Sequence, residues 1–146
     1  MMIPYDRFGT LRLSQYLPDA DIVGLNQWEF VDRMWVGEAV GFSEWLRPED
    51  DPETLQSLAI DFNEFPSQPA ERVLHDIGLS VSPGMTLGQL RAMLGEPVGV
   101  RRFVPGRVSY EFVTPEPYPY WVSCTGTDDG GLVYLVVQVP AADKVR

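Results

Sequence analysis

The stretch SPGMTLGQLRAMLGEP, residues 82–97, carries the clearest structural signal in the chain. Thr86 and Gln89 have the spacing of a capping box, in which each side chain bonds to the other residue's backbone N–H at the start of a helix. Gly95 suits the left-handed position that follows a helix, and the proline two residues later prevents the helix from continuing. The stretch therefore predicts a short helix over residues 87–94. Its apolar face comprises Leu87, Leu90, Met93 and Leu94.

A second helix is predicted just upstream, over about residues 69–77. Pro69 is tolerated in the first turn of a helix, and Gly78 is suited to end one. The apolar residues between them recur with helical spacing and are Ala70, Val73, Leu74 and Ile77. Two short helices are therefore expected in succession.

Downstream of residue 97 the pattern changes to that of β-strands. Segments rich in β-branched and aromatic residues alternate with Gly- and Pro-containing turns, and they are residues 98–103, 107–114, 120–126 and 132–139. Their short connections favour an antiparallel meander. The run LVYLVV, residues 132–137, is apolar at successive positions, which predicts a strand in the middle of the sheet.

The first 65 residues allow more than one interpretation. Strands are predicted over residues 8–17, 40–46 and 58–65, with a loop over residues 47–53. Residues 20–34 fit either an amphipathic helix or a strand that continues to residue 36. Neither an internal repeat nor a linker divides the chain. Residues 1–146 are therefore predicted to form a single α+β domain, with an antiparallel meander sheet packed against the two short helices.

The composition supports a packed core and argues against polyanionic partners. Apolar residues make up 45% of the 146-residue chain, which is enough to build a core. The formal net charge is −10, so nucleic acid and anionic membrane surfaces would repel the chain, and neither is expected as a partner. The N-terminal residues show no basic segment followed by an apolar run, which favours a cytoplasmic location in a bacterial-type cell.

The common catalytic and metal-binding patterns do not occur in the sequence. The single histidine, His75, falls off the apolar stripe of its predicted helix and is expected to point to solvent. The single cysteine, Cys124, lies in a predicted strand and is expected to be a small buried thiol. Zinc-binding His or Cys spacings and phosphate-binding loops are missing. We therefore predict no catalytic residue, no metal and no cofactor.

The excess negative charge is concentrated in one part of the sequence. Residues 38–64 contain eight acidic residues and one basic residue. This stretch is interpreted either as a solvated surface or as a docking surface for a basic partner. A tryptophan beside carboxylates is typical of a site for an arginine-rich partner, although a core tryptophan at a strand end is the alternative. The predicted partner-binding residues are Glu44, Trp45, Glu49, Asp50, Asp51 and Glu53.

One part of the chain resembles known protein families. The sequence GMT at residues 84–86, followed by LGEP at residues 94–97 and a strand meander, is similar to the helix-to-sheet signature of the BamE/SmpA lipoproteins and of β-lactamase-inhibitor-like modules. The resemblance covers about residues 65–139 and implies a helix packed on an antiparallel sheet, together with a binding role. It does not extend to a lipid-attachment cysteine near the N-terminus or to a second copy of the motif.

Two classes of function follow from these observations. The first is a non-catalytic binding protein of the immunity or inhibitor type, which masks a basic protein partner with its acidic surface. The second is a small-ligand-binding module or enzyme with a pocket between sheet and helices, using Trp35, Tyr110 or Trp121 as a wall. A flat acidic face is expected for the first class, and a deep, mostly apolar cavity for the second.

Overall fold

The computed structural model is an α+β arrangement of one antiparallel sheet and two helices. It describes Tyr16 and residues 57–102, 104–114, 120–127 and 131–138 in full, and residues 22–28, 34–39, 42–47 and 51–56 as strand backbone. The strands are β1 (Ile22–Trp28), β2 (Met34–Ala39), β3 (Phe42–Arg47), β4 (Asp51–Asp61), β5 (Gly99–Arg101), β6 (Arg107–Val113), β7 (Trp121–Thr127) and β8 (Gly131–Gln138). The helices are α1 (Ser67–Ile77) and α2 (Leu87–Leu94).

The sheet consists of two meanders joined through their last strands. Its order is β1-β2-β3-β4-β8-β7-β6-β5, and every neighbouring pair is antiparallel. Strand β8 lies between β4 and β7, which confirms the predicted central position of the LVYLVV run. The predicted meander is confirmed, and the pairing of β4 with β8 adds a long-range connection between the first and the second half of the sequence.

Helix α2 has the predicted bounds and the predicted cap. The backbone N–H of Gln89 donates to the Thr86 hydroxyl at 3.3 Å, and the Thr86 N–H donates to the Gln89 side chain at 2.9 Å. The Gly95 N–H donates to the carbonyl of Arg91 at 2.9 Å, which closes the last turn. Met85 and Leu87 pack against the core, and Leu90 is buried in it. Local signals thus suffice to define this helix.

Replacing Thr86 by alanine is expected to lower the free energy of unfolding by about 1 kcal/mol, because the hydroxyl that accepts the Gln89 N–H is lost. Urea denaturation of the purified variant measures the change. The matched control is Thr86→Ser, which keeps a hydroxyl that can accept the Gln89 N–H and should therefore keep the stability. An unchanged stability of the Thr86→Ala variant would mean that the capping box does not stabilise the native state.

Helix α1 starts earlier than the sequence indicates. It begins at Ser67 after Pro66, whereas residue 69 was the predicted start, and its end at Ile77 agrees with the prediction. Gly78 adopts the left-handed conformation there, with φ 74°. The predicted apolar stripe is buried as expected, and its members are Ala70, Val73, Leu74 and Ile77. Because no side chain caps the first turn of α1, the sequence held no sharp signal for its first residue.

The core lies between the helices and one face of the sheet. Fully buried residues from β4, β6, β7 and β8 meet the stripe of α1, and they include Leu58, Ile60, Phe112, Val122 and Leu135. We call this side of the sheet the helix face. The alternate strand positions, such as Ser109, Glu111 and Thr125, form the opposite side, which we call the second face.

Several predictions for the first 65 residues need correction. Residues 22–28 form a strand, so the helical interpretation of residues 20–34 is wrong. Strand β4 starts at Asp51, inside the predicted loop 47–53, and stops at Asp61 rather than at residue 65. The strand stops because the Asp61 carboxylate accepts the Asn63 N–H at 2.9 Å and its carbonyl accepts the Phe65 N–H at 2.8 Å, which turns the chain. The predicted strand 8–17 lies outside the described residues except for Tyr16, which is in a turn.

Tyr16 is held against helix α1. Its hydroxyl donates to the Asp76 carboxylate at 2.7 Å, and its carbonyl accepts from the Arg72 guanidinium at 2.7 Å. The same guanidinium lies 5.6 Å from the centre of the tyrosine ring, a cation–π distance. Burial and the Asp76 charge raise the pKa of Tyr16, so the phenol stays a hydrogen-bond donor at neutral pH.

Candidate functional site

The acidic stretch of the sequence occupies three adjacent strands. Residues 38–64 run from the end of β2 through β3 and β4, which are neighbours in the sheet. Glu38 pairs with Ser43, and Arg47 pairs with Asp51. Five of the eight carboxylates, Glu38, Glu44, Asp51, Glu53 and Asp61, therefore belong to three neighbouring strands, and we call this part of the sheet, β2 to β4, the acidic half.

The predicted partner-binding residues fall into three places. Glu44 and Trp45 are in β3, Asp51 and Glu53 are in β4, and Glu49 and Asp50 lie outside the described residues. The register between β3 and β4 is irregular from Trp45 to Arg47. Bulges of this kind occur often at sheet edges and beside binding sites. The prediction that these residues bind a partner stays a prediction.

Strand register separates Glu44 from Trp45. Glu44 is paired with Leu58, which is fully buried on the helix face, and Trp45 is paired with Ser57 on the second face. Successive positions of a strand belong to opposite faces of a sheet. A flat partner surface that docks on one face of the sheet can therefore meet the strand position of Trp45 or that of Glu44, and not both.

A buried carboxylate on the second face escaped the sequence analysis. Glu111 in β6 is only 6% exposed, and its carboxylate accepts the indole N–H of Trp121 at 2.6 Å. The Nε of Arg101 in β5 lies 3.9 Å from the other carboxylate oxygen. The available signal was a glutamate between Tyr110 and Phe112 in an alternating strand, but its partners come from two other strands. Such a bonded, paired carboxylate is held as an acceptor and fixes the indole of Trp121.

A cavity of about 210 Å³ lies between the N-terminal end of α2 and the sheet. Its walls include Leu87 and Leu90 from the helix and Val108 and Tyr110 from β6. Tyr110 thus lines a pocket between sheet and helix as proposed for the ligand-binding class. Trp121 lies on the second face, so its predicted role as a wall of this pocket is wrong, and the side chain of Trp35 is outside the described part.

The single cysteine and the single histidine of the chain, the residue types that nucleophilic catalysis would need, lie in opposite environments. Cys124 is fully buried in β7, as predicted, and burial together with the Glu111 charge raises the pKa of its thiol to about 12. His75 is exposed on α1, with 86% of its side chain accessible, also as predicted, and its Nδ1 lies 3.5 Å from Asp76. A thiol with this pKa is almost entirely protonated at neutral pH and is a poor nucleophile.

Cys124 is expected to react slowly with a thiol reagent in the native protein, because the thiol is buried and protonated. Labelling with 5,5′-dithiobis(2-nitrobenzoic acid) at neutral pH should proceed at least about 100 times faster after unfolding in guanidinium chloride. Rapid labelling of the native protein would contradict the burial of this strand position. A Cys124→Ser variant, which should not label at all, is the control for reagent breakdown.

Neither a metal-holding cluster nor a membrane-crossing helix is found among the described residues. Among them, no group of three or more His, Cys, Asp or Glu residues is arranged to hold a metal ion. None of the described helices is both long enough and apolar enough to cross a membrane.

Comparisons with protein-family models, with curated proteins and with solved structures gave no match. The similarity of residues 65–139 to BamE/SmpA and inhibitor-like modules therefore remains a prediction from the sequence.

Proposed function

We propose that this protein is a non-catalytic binding protein of the immunity or inhibitor type, which masks a basic protein partner with the acidic half of its sheet. The observation that supports the proposal is that five of the eight carboxylates of the stretch 38–64 belong to three adjacent strands, β2, β3 and β4. Eight carboxylates against one guanidinium create a local potential that attracts a basic surface and speeds its association.

The contact is centred where the chain passes from the end of β3 to the start of β4. Glu49, Asp50 and Glu53 supply charge there, and Trp45 supplies a large aromatic surface for an arginine of the partner. The register of Trp45 with Ser57 favours approach along the second face. In this arrangement the carboxylates steer the partner, and the tryptophan contributes to the lifetime of the complex.

The proposal is tested with two variants of equal charge. The test variant combines Glu49→Gln, Asp50→Asn and Glu53→Gln. The control variant combines Glu71→Gln, Glu96→Gln and Glu116→Gln, which removes three carboxylates outside the acidic stretch 38–64. Each protein is immobilised, exposed to an extract of the source cells at low salt, and the retained proteins are identified and purified for rapid-mixing kinetics.

We expect the wild type and the control to retain the same basic protein, and the test variant to associate with it about tenfold more slowly at low salt. The difference should shrink as added salt shortens the screening length to roughly 8 Å at 0.15 M. Trp45→Ala should instead increase the dissociation rate. Retention of no basic protein by the wild type, or equal association rates of both variants, would refute the proposal.

A second candidate function is supported by the cavity beneath α2. Tyr110, Leu87 and Leu90 line a space of about 210 Å³. This space holds roughly seven waters at ~30 Å³ each, so a ligand would be small. Native mass spectrometry of the protein purified from its source cells should then show a bound small molecule, which Val108→Phe would displace by filling the cavity. A mass equal to that of the polypeptide alone would argue against this candidate.

A further inference from the structure

A polar row crosses the second face of the sheet over five strands. The register places Arg101 opposite Ser109, Ser109 opposite Thr125, Thr125 opposite Tyr134, and Tyr134 opposite Asp61. Directly opposed residues of antiparallel strands lie on the same face and within contact distance. Residues that are far apart in sequence thus form one continuous line of side chains across β5, β6, β7, β8 and β4.

A cavity of about 250 Å³ opens along the middle of this row. Arg107, Ser109, Thr125 and Tyr134 line it, and Val104 from the β5–β6 connection closes one side. Arg107 precedes Ser109 by two positions in β6, so the two belong to the same face. A guanidinium, two aliphatic hydroxyls and a phenol therefore surround one space.

Several hydrogen-bond donors around this cavity have no acceptor among the described residues. Within the described part of the chain, neither the Arg107 guanidinium nor the Tyr134 hydroxyl forms an ion pair or a hydrogen bond. The hydroxyls of Ser109 and Thr125 bond to each other at 2.7 Å, and one hydrogen serves that bond. The hydrogen of the second hydroxyl is left to donate to another acceptor. Burial and the Asp61 charge raise the pKa of Tyr134, which keeps its phenol a donor as well.

Among the described residues that line the cavity, Arg107 is the one charged group, although the chain as a whole is acidic. The β5–β6 hairpin carries three of the five arginines in residues 57–138, namely Arg101, Arg102 and Arg107. The carboxylate of Glu111, on the same face, already accepts from Trp121 and lies 3.9 Å from Arg101. Asp61 stands at the far end of the row, beyond Tyr134. The guanidinium of Arg107 is thus the charged group that the cavity offers to a ligand.

We propose that this cavity binds a small organic carboxylate with an apolar body. The guanidinium of Arg107 has the planar donor geometry that matches a carboxylate, and the Ser109–Thr125 pair and Tyr134 donate to its oxygens. Val104 and the tyrosine ring supply apolar surface for the remainder of the ligand. The volume corresponds to roughly eight waters at ~30 Å³ each, which accommodates a single-ring carboxylate. This site is lined by β6, β7, β8 and the β5–β6 connection, so it lies outside the acidic half of the sheet and does not depend on the proposed function.

The probes are benzoate, its neutral analogue benzamide, and inorganic phosphate. Each is titrated into the ¹⁵N-labelled full-length protein, and the backbone amide shifts of Ser109, Thr125 and Tyr134 are followed by NMR. The test variants are Arg107→Gln and Thr125→Val. Arg91→Gln is the matched control, because Arg91 is a half-exposed arginine on α2 that pairs with Glu96 at 3.2 Å. Arg107→Lys keeps the charge without the planar fork and is used if Arg107→Gln fails to fold.

We expect benzoate to bind the wild type with a dissociation constant of about 1 mM, and to shift these three amides. Arg107→Gln should weaken binding at least about tenfold, Arg107→Lys and Thr125→Val by about three- to tenfold, and Arg91→Gln by less than about twofold. No benzoate-dependent shift at these amides, equal binding of benzamide, or equal weakening by Arg91→Gln would overturn the proposal. Phosphate binding as tight as benzoate would overturn the assignment of an apolar ligand body.

Discussion

Replacing Gly131 by alanine is expected to destabilise the protein by about 3 kcal/mol or more, and to prevent the segment before α2 from docking on the sheet. Gly131 begins β8 with φ +70°, a backbone conformation that residues other than glycine rarely adopt. A methyl group there would overlap the carbonyl oxygen of Gly84 and lie 2.7 Å from that of Met85. These atoms are backbone, so they cannot move aside without breaking their own contacts.

The close approach is part of the sheet itself. The Gly84 N–H donates to the Leu132 carbonyl at 2.9 Å, and the Leu132 N–H donates to the Met85 carbonyl at 3.0 Å. The chain that leads into α2 therefore pairs with the first residues of β8. A side chain at position 131 would separate the two segments and break both hydrogen bonds.

The matched control for this substitution is Gly106→Ala. Gly106 has φ +82°, but a methyl group there meets nothing within 4 Å. Its cost should be limited to the conformational strain, roughly 1–2 kcal/mol. Urea denaturation followed by far-UV circular dichroism measures both losses, and equal losses would refute a steric role for the approach of Gly84 to Gly131.

Replacing Leu135 by alanine is expected to lower the free energy of unfolding by about 2–5 kcal/mol. Leu135 is fully buried on the helix face at the centre of β8, where it is paired with Ile60 and Cys124. Truncation removes apolar contacts and leaves a cavity in the middle of the core, where strands on both sides limit collapse.

Val136→Ala is the control, because this neighbour lies half-buried on the second face, in register with Ala59 and Ser123. Its loss should be about 1 kcal/mol or less. The two residues are adjacent and aliphatic, and Leu135→Ala removes one carbon more than Val136→Ala, so a difference well above about 0.8 kcal/mol reports the face of the sheet. Equal losses would indicate that the second face is packed as tightly as the helix face.

The sequence by itself determined the elements whose signals are local. The capping box of Thr86 and Gln89, the terminating Gly95 and the apolar stripe are contained in one 16-residue stretch, and α2 has the predicted bounds. The strands after residue 97 were also predicted to within a few residues, because alternation and turn residues act over short distances. Strand β5 is shorter than predicted, since it comprises Gly99–Arg101 whereas the sequence indicated a strand over residues 98–103.

The second half of the fold depends on interactions between distant segments. The polar start of β4, DPETLQ, indicates a loop by composition, yet it is a strand because β3 supplies its hydrogen-bonding partners. Residues 22–28 permit helical spacing, and pairing with β2 decides for a strand. Intrinsic preferences of these segments are weak, so tertiary pairing overrides them.

The candidate sites likewise combine features that the sequence shows with features that only strand pairing creates. The concentration of carboxylates in residues 38–64 is visible in the sequence, since it requires only counting. Two other features are not visible in the sequence, because they depend on the register of β6, β7 and β8. The first is the burial of Glu111 beside Trp121. The second is the cavity that Arg107, Ser109, Thr125 and Tyr134 line together. A shift of one residue in any of these pairings would move a whole strand's side chains to the other face. Local chemistry determined the helix and the charge of this protein, and strand register alone decided which side chains meet.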